Sequence, residues 1–140
     1  MAMTFHVDIV SAEEEIYSGV AVALFAPAEM GEVGIMARHA PLLTGLKPGE
    51  VRVQTQDGEE HHIYVSGGML EVQPHVVTIL SDTAIRANDL DEAAAMAAKD
   101  RAEKALADKK SDMDFAQAER ELAEAVAQIR TIQRLKKGRH

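Results

Sequence analysis

The 140-residue chain has no cysteine and no tryptophan, and it has only two tyrosines and three phenylalanines. The absence of cysteine excludes a disulfide framework and a thiolate metal site. With so few aromatic side chains, the core must be built from Val, Ile, Leu, Ala and Met. The sequence contains no run of 18 or more apolar residues, so it predicts no transmembrane helix.

Proline and glycine are confined almost entirely to the first part of the chain. All four prolines, and all but one of the nine glycines, lie before residue 75. Segments FHVDIV (5–10) and VAVALFA (20–26) alternate in polarity as strands do. Asp57-Gly58 and Pro74-His75 each indicate the turn of a hairpin. Short strands separated by turns at this spacing predict a β-sandwich or barrel.

The composition changes at Ala87. From there the chain has fourteen alanines, no proline and one late glycine, which is typical of helices. Two helices are predicted, at about 90–108 and 113–137, and the short link between them requires an antiparallel hairpin. Asp89 followed by Glu92 indicates a capping box for the first helix. The predicted cap of the second is Ser111 or Asp112.

An apolar stripe with 3,4,3,4,3 spacing runs along the second predicted helix. Its members are Phe115, Ala118, Leu122, Ala125, Ile129 and Ile132. The residues predicted to face it from the first helix are Ala94, Ala98, Ala102 and Ala105. Because alanine buries roughly a third of the area that leucine does, the sequence predicts a weakly packed hairpin that can change conformation at low cost.

Charge is distributed unevenly along this acidic chain, whose formal net charge is -8. Residues 1–86 hold 4 Lys/Arg against 12 Asp/Glu, whereas residues 87–140 hold 11 of each. The last stretch, AVAQIRTIQRLKKGRH (125–140), has five basic residues and no acidic one. Complementing the helix dipole explains two or three of these charges, less easily five.

The basic tail suits three kinds of partner to different degrees. Nucleic acid is disfavoured because the acidic first part repels phosphate and the tail lacks interleaved aromatics. A membrane surface is possible, but the tail has no Trp or Phe. An acidic protein surface fits best, because Arg130, Arg134, Lys136 and Lys137 lie beside the apolar stripe and suit docking by both burial and charge.

No enzymatic motif is present, since the sequence lacks G-x-S-x-G, H-E-x-x-H and a P-loop. The run 13–15 of three glutamates is better explained as a solvated turn than as a cation site. His61-His62 point to opposite faces of a strand, so a shared metal ion is disfavoured. The glycine spacing of GEVGIMARHAPLL (31–43) fits neither the dinucleotide-binding motif nor the P-loop, so no phosphate-binding loop is predicted there. His39 within it is predicted to be a hydrogen-bonded loop histidine.

Two longer stretches carry a family resemblance. GEVGIMARHAPLLTGLKPGEV (31–51) and YVSGGMLEVQPHVVTILSDTAIRANDLDEA (64–93) resemble the epsilon subunit of bacterial F-type ATP synthase. The resemblance covers essentially the whole chain. It implies a ten-stranded β-sandwich followed by a two-helix hairpin, with a sandwich domain at 1–86 and a regulatory helical domain at 87–140. The two periodicities of the sequence lead independently to the same division.

The resemblance also implies a mechanical and regulatory function without catalysis or cofactors. The sandwich would join the gamma subunit to the ring of c subunits and help couple proton-driven rotation to ATP synthesis. The helices would extend along gamma and inhibit ATP hydrolysis. The chain would be a monomer in isolation and, in the complex, peripheral to the cytoplasmic side of the bacterial cell membrane. The alternative is a free-standing β-sandwich binding module that self-associates through its hairpin.

Site residues are implied by the same resemblance for three partners. Those matching the loop that meets the c ring are Glu29, Met30, Gly31 and Glu32. Those matching a motif near the gamma interface are His39, Ala40, Pro41 and Leu42. Those expected to contact an acidic segment of the beta subunit in the catalytic alpha/beta head are Arg120, Arg130, Arg134, Lys136 and Lys137.

One family motif is incomplete in this sequence. Some members bind ATP through Ile or Leu, Asp, any two residues, Arg, Ala, and the matching stretch here is residues 90–95. Its arginine position is occupied by Ala94, so a guanidinium suited to phosphate is missing. The sequence therefore predicts weak ATP binding or none, since Asp91 alone does not attract a nucleotide.

Overall fold

The computed structural model describes residues 3–107 and 115–137, except for the side chain of Lys137. Within these described residues, ten strands precede two α-helices, which confirms the predicted fold class. The strands are β1 (Phe5–Val10), β2 (Glu15–Ala21), β3 (Ala23–Ala28), β4 (Gly31–Met36), β5 (Leu42–Leu46), β6 (Gly49–Gln54), β7 (Glu60–Val65), β8 (Gly68–Val72), β9 (Val76–Leu80) and β10 (Ala84–Arg86). The helices are α1 (Glu92–Ala107) and α2 (Phe115–Lys137).

The strands form a nearly closed sandwich with the order β10-β7-β6-β3-β5-β8-β9-β1-β2, and β4 pairs with β3. β1 runs parallel to β9, and the other pairs are antiparallel. The pair Ala28↔Leu46 connects β3 to β5 and so joins the two halves of the sandwich. At the open edge, Arg86 Nη2 donates a 2.7 Å hydrogen bond to the Ile16 carbonyl and links β10 to β2.

The sandwich core is mainly aliphatic, as the composition requires. Alternate residues of each strand point inward, and Phe5, Val7 and Ile9 of β1 are all buried as their period-two spacing predicts. Central core positions on the other strands are Leu24, Ile35, Val51, Val53, Ile63, Val65, Leu70, Val72, Val77 and Ile79. This continuous apolar interior makes the sandwich the more strongly packed part of the chain.

One predicted strand is wrong. Segment 20–26 is not a single strand, because β2 ends at Ala21 and β3 begins at Ala23. The backbone N–H of Val22 donates to the Gln54 carbonyl at 2.8 Å, where the chain passes from pairing with β1 to pairing with β4 and β6. Val20 is exposed, so polarity alternation alone did not reveal the break.

Both predicted hairpin turns are confirmed. Gly58 adopts φ +89° between β6 and β7, and its N–H donates to the Thr55 carbonyl at 3.1 Å. Between β8 and β9, the Gln73 N–H donates to the Val76 carbonyl at 2.9 Å. These turns set the register of strands that carry candidate site residues.

The predicted cap of the first helix is wrong, and the observed cap lies two residues later. Asp89 ends a 3₁₀ helix, Ala87–Asp89, which is followed by an extended Leu90. The residue that caps α1 is Asp91, whose Oδ1 accepts a hydrogen bond from the Ala94 N–H at 3.1 Å. The predicted caps Ser111 and Asp112 lie outside the described residues.

Small residues bring α1 and α2 together. Ala95 and Ala102 of α1 are buried, as are Ala118 and Ala125 of α2. Two predicted members of this contact are wrong: Ala94 is exposed, and Phe115 at the start of α2 is 63% exposed. At the start of α1 the buried position is Ala95 and not Ala94, because Ala95 lies seven residues before Ala102 and so on the same face of the helix.

A second face of α2 covers the outer face of β6 and β7. Tyr64 is buried there, outside the sandwich core. Burial raises the pKa of Tyr64 to about 12, and Gln128 of α2 partly opposes this effect. The hairpin is therefore docked on the sandwich in this structure.

Candidate functional site

The β3–β4 hairpin tip holds the residues predicted to meet the c ring. Glu29 and Met30 form its turn, and Met30 is 97% exposed. Gly31 has φ +127°, a backbone conformation that favours glycine. Glu32 lies on β4, where it forms a 2.9 Å ion pair with Arg52. The tip therefore presents one uncovered thioether flanked by a carboxylate.

The segment predicted to meet gamma joins β4 to β5. It follows Arg38, which has φ 65° and donates its N–H to the Pro74 carbonyl at 3.0 Å. His39 Nδ1 lies 2.7 Å from the Ala40 carbonyl, so it is a hydrogen-bonded loop histidine as predicted. Ala40 and Pro41 are exposed, whereas Leu42 is partly buried against the core.

An apolar strip next to this segment was missed by the sequence analysis. Leu43 follows Leu42 and points outward, and Met69 of β8 and Leu80 of β9 are exposed on the same outer face. The sequence could have indicated this strip, because apolar residues occupy outward-facing as well as inward-facing positions of these strands. The strip (Leu43, Met69, Leu80) is a feature typical of a protein-binding surface.

The basic residues of α2 do not form one cluster. Arg130 and Arg134, one turn apart, line a cleft of about 200 Å³ between α2 and the sandwich, together with Glu32 and Glu50. Arg120 lies roughly 15 Å away along the helix, at 1.5 Å per residue. The side chain of the fifth predicted residue, Lys137, lies outside the described part.

Acidic residues of the chain itself face part of this basic set. Lys136 Nζ forms a 2.5 Å ion pair with Glu92 Oε2, joining the end of α2 to the start of α1. Arg134 Nη1 lies 3.9 Å from Glu50 Oε1. In the docked hairpin, part of the tail's positive charge is therefore already balanced internally.

Glu50, His62 and Tyr64 form a polar patch beneath α2 that the sequence did not reveal. They lie on the outer face of β6 and β7, and the register places Glu50 opposite Tyr64. His62 Nδ1 is 3.1 Å from Glu50 Oε1, and its Nε2 is 3.3 Å from Glu60 Oε1. Alternation places these residues outside the core, but it cannot show that a distant helix covers them.

Docking of the hairpin disfavours the charged form of Glu124 on α2. Burial raises its pKa above the ordinary value of 4.5; Arg120 opposes this, and Glu121 and Asp82 add to it. Because the pKa is higher in the docked state, the uncharged form favours docking. This contribution is full below the undocked pKa and is lost as pH rises through the docked pKa.

We therefore expect Glu124→Gln to stabilise the docked hairpin at pH 7, by less than about 1 kcal/mol because the site is partly solvated. Below about pH 4 the variant and parent should agree. Hydrogen exchange of α2 amides across this pH range measures the difference, with the exposed Glu119→Gln as control. An advantage for Glu124→Gln that persisted undiminished at low pH would contradict the assignment.

A Ser–His–Asp cluster on β1 and β2 lacks the geometry of a catalytic triad. His6 Nε2 contacts both Asp8 Oδ1, at 2.9 Å, and Ser18 Oγ, at 3.1 Å. The Ser18 hydroxyl donates to Asp8 at 2.8 Å, and this bond is the main reason that the pKa of Asp8 is lowered. A triad instead uses one imidazole nitrogen for serine and the other for aspartate.

Metal sites and membrane-spanning helices are two further features that the described residues lack. The part of the chain that the structure describes has no group of three or more His, Asp or Glu side chains suited to a metal ion. Within residues 3–107 and 115–137, neither helix is long and apolar enough to cross a membrane.

Family models match both parts of the fold. The model for the ATP synthase delta/epsilon chain β-sandwich domain matches residues 4–87, and that for the delta/epsilon chain long α-helix domain matches residues 88–133. The ATP synthase epsilon chain of Nitrosococcus oceani is 68% identical over 98% of both chains. This chain belongs to the ATP synthase epsilon-chain family. The family predicted from the sequence is thereby confirmed.

Other members of the family show the same full-length similarity. The epsilon chain of Thioalkalivibrio sulfidiphilus is 64% identical over 98% of each chain. Among solved structures, a chain of the Euglena gracilis mitochondrial ATP synthase OSCP/F1/c-ring assembly matches with a TM-score of 0.76 and 22% identity, covering 98% of this chain and 82% of that one. At that identity, the structural match shows a shared fold.

Proposed function

We propose that this chain is the non-catalytic central-stalk epsilon subunit of a bacterial proton-translocating ATP synthase. The observation that carries the proposal is the 68% identity over 98% of both chains to an ATP synthase epsilon chain. The free-standing, self-associating module is not favoured, because both family models belong to ATP synthase subunits. The proposal also assigns gamma and c-ring binding to residues 1–86 and regulation to residues 87–140.

The sandwich would transmit torque through two surfaces. The gamma subunit would bind His39, Ala40, Pro41 and Leu42, together with the apolar strip (Leu43, Met69, Leu80). The hairpin tip at 29–32 would meet polar loops of the c ring. Met30 and Glu29 are the strongest candidates there, because Glu32 already has Arg52 as a partner. Attachment to the c ring would place the subunit peripherally on the cytoplasmic face of the membrane.

The helices would act as a detachable inhibitor of ATP hydrolysis. Arg120, Arg130, Arg134, Lys136 and Lys137 would contact an acidic segment of the beta subunit after the hairpin leaves the sandwich. The alanine-rich contact between α1 and α2, which buries little apolar area per residue, supports a low cost of release. ATP would not be the ligand that holds the docked state. Ala94 replaces the motif arginine, and the carboxylate of Asp91 caps α1.

ATP hydrolysis by a purified head of alpha, beta and gamma subunits tests this function. We expect the full chain to inhibit hydrolysis several-fold and a version ending at Ala87 to bind gamma without inhibiting. A full-length variant with Arg120 and Arg130 both changed to Gln keeps the internal ion pairs of Arg134 and Lys136. It should inhibit less than the parent, because its attraction to an acidic surface is reduced. Equal inhibition by the truncated chain would assign the effect to the sandwich and contradict the proposed function of the helices.

A further inference from the structure

Glu50 is a buried carboxylate at the junction of the sandwich and α2. Its side chain is 2% exposed, although it points away from the sandwich core. Its Oε1 lies 3.1 Å from His62 Nδ1 and 3.9 Å from Arg134 Nη1. Its Oε2 is buried and has no hydrogen-bond partner among the described residues. Burying a carboxylate with so little compensation is costly.

The two partners of Glu50 differ in how they depend on the hairpin. His62 belongs to β7, the neighbouring strand, and stays beside Glu50 wherever the helices lie. Arg134 belongs to α2, and within the described part it is the one hairpin cation within 4 Å of Glu50. The sandwich alone therefore offers two carboxylates, Glu50 and Glu60, around one histidine, and docking adds the guanidinium.

We propose that Glu50 makes the docking of α2 depend on charge, because its buried carboxylate favours the docked hairpin only while Arg134 lies beside it. Removal of Arg134 leaves a buried carboxylate without its hairpin counter-charge, and the hairpin undocks so that water can solvate Glu50. Undocking breaks this ion pair, and loss of the ion pair in turn favours undocking. The Glu50–Arg134 pair thus sets the balance between the docked and released hairpin.

Arg134 is accessible to a competitor while the hairpin is docked. Its side chain is 58% exposed, and it lines the open cleft with Arg130. An acidic protein surface can therefore approach Arg134 before α2 leaves the sandwich. This part of the inference rests on the proposed function, in which the beta subunit supplies that surface and competes with Glu50 for the same guanidinium.

The charge dependence is tested in the full-length chain alone. Because the chain has no cysteine, Gln56→Cys and Gln133→Cys, both at exposed positions, take spin labels at two chosen sites. The distance distribution between the labels gives the docked fraction. Four forms are compared in this background: the parent, Arg134→Gln, Glu50→Gln, and the double substitution. The thermal transition of the sandwich verifies that each one folds.

We expect Arg134→Gln to lower the ratio of docked to undocked hairpin about tenfold, between the effects of exposed and fully buried pairs. Glu50→Gln should stay within about twofold of the parent, because a neutral amide needs no counter-charge. Adding Arg134→Gln to Glu50→Gln should then change little. Arg130→Gln, one turn earlier in the same cleft, is the matched control and should leave the ratio unchanged.

Three results would overturn the proposal: no effect of Arg134→Gln, an equal effect with and without Glu50→Gln, or an equal effect of Arg130→Gln. The measurement uses no other ATP synthase subunit, so its failure leaves the hydrolysis test of the proposed function unaffected. Conversely, a chain that docks through Glu50 but does not inhibit hydrolysis would refute the inhibitory function and not the docking site.

Discussion

Replacing Ile132 by Asp is expected to detach and largely unfold the C-terminal hairpin while the sandwich stays folded. Ile132 is a buried aliphatic residue of α2, seven residues after the buried Ala125 and so on the same face of the helix. The substitution removes its apolar contacts and buries a carboxylate, at a cost of about 3–5 kcal/mol. Isolated helices of 16 and 23 residues gain little stability without packing.

Hydrogen exchange of the α1 and α2 amides measures this effect. Their protection should fall at least tenfold in Ile132→Asp, whereas the amides of β6 and β7 should remain protected. Gln133→Asp is the matched control, since the neighbouring side chain is exposed and gains the same charge. Unchanged protection of α1 in Ile132→Asp would show that the predicted apolar stripe does not hold the helices together.

The confirmed strand predictions rest on local signals. β1 and the two hairpin turns were predicted because alternation and glycine placement act within a few residues. The break at Val22 was missed because it depends on a hydrogen bond to Gln54, which is distant in sequence. The number of strands came from the family resemblance, since short apolar segments alone do not define strand boundaries.

The candidate sites likewise include features that local sequence reveals and features that depend on distant residues. Basic character of the tail was evident from the sequence, but its docked partners were not, because Glu50 and Glu92 belong to other elements. The sandwich-facing side of α2 includes Ala127, Gln128 and Thr131, and such small or polar residues give no apolar stripe. The sequence therefore predicted the contact between the helices and not the contact of α2 with β6 and β7.

The second large effect is expected for Gly68→Ala, at the start of β8. Gly68 has φ +121°, and an added Cβ would lie 2.0 Å from the Leu80 carbonyl oxygen and 2.9 Å from the Ser81 Cα. Both atoms belong to the backbone, so no side-chain rotation relieves the overlap. We expect the free energy of unfolding to fall by about 3 kcal/mol or more, from strain and displaced strands.

Urea denaturation of the sandwich measures this loss, and Gly58→Ala is its control. Gly58 also has positive φ, +89°, but no atom lies within 4 Å of the added Cβ, so only the conformational cost of about 1 kcal/mol applies. Equal losses in the two variants would contradict the steric argument.

Because Gly68 adjoins Met69 and the clash is with Leu80, the shift would also distort the proposed gamma-binding strip. Gly68→Ala should therefore weaken gamma binding more than Gly58→Ala, even at temperatures where both variants remain folded.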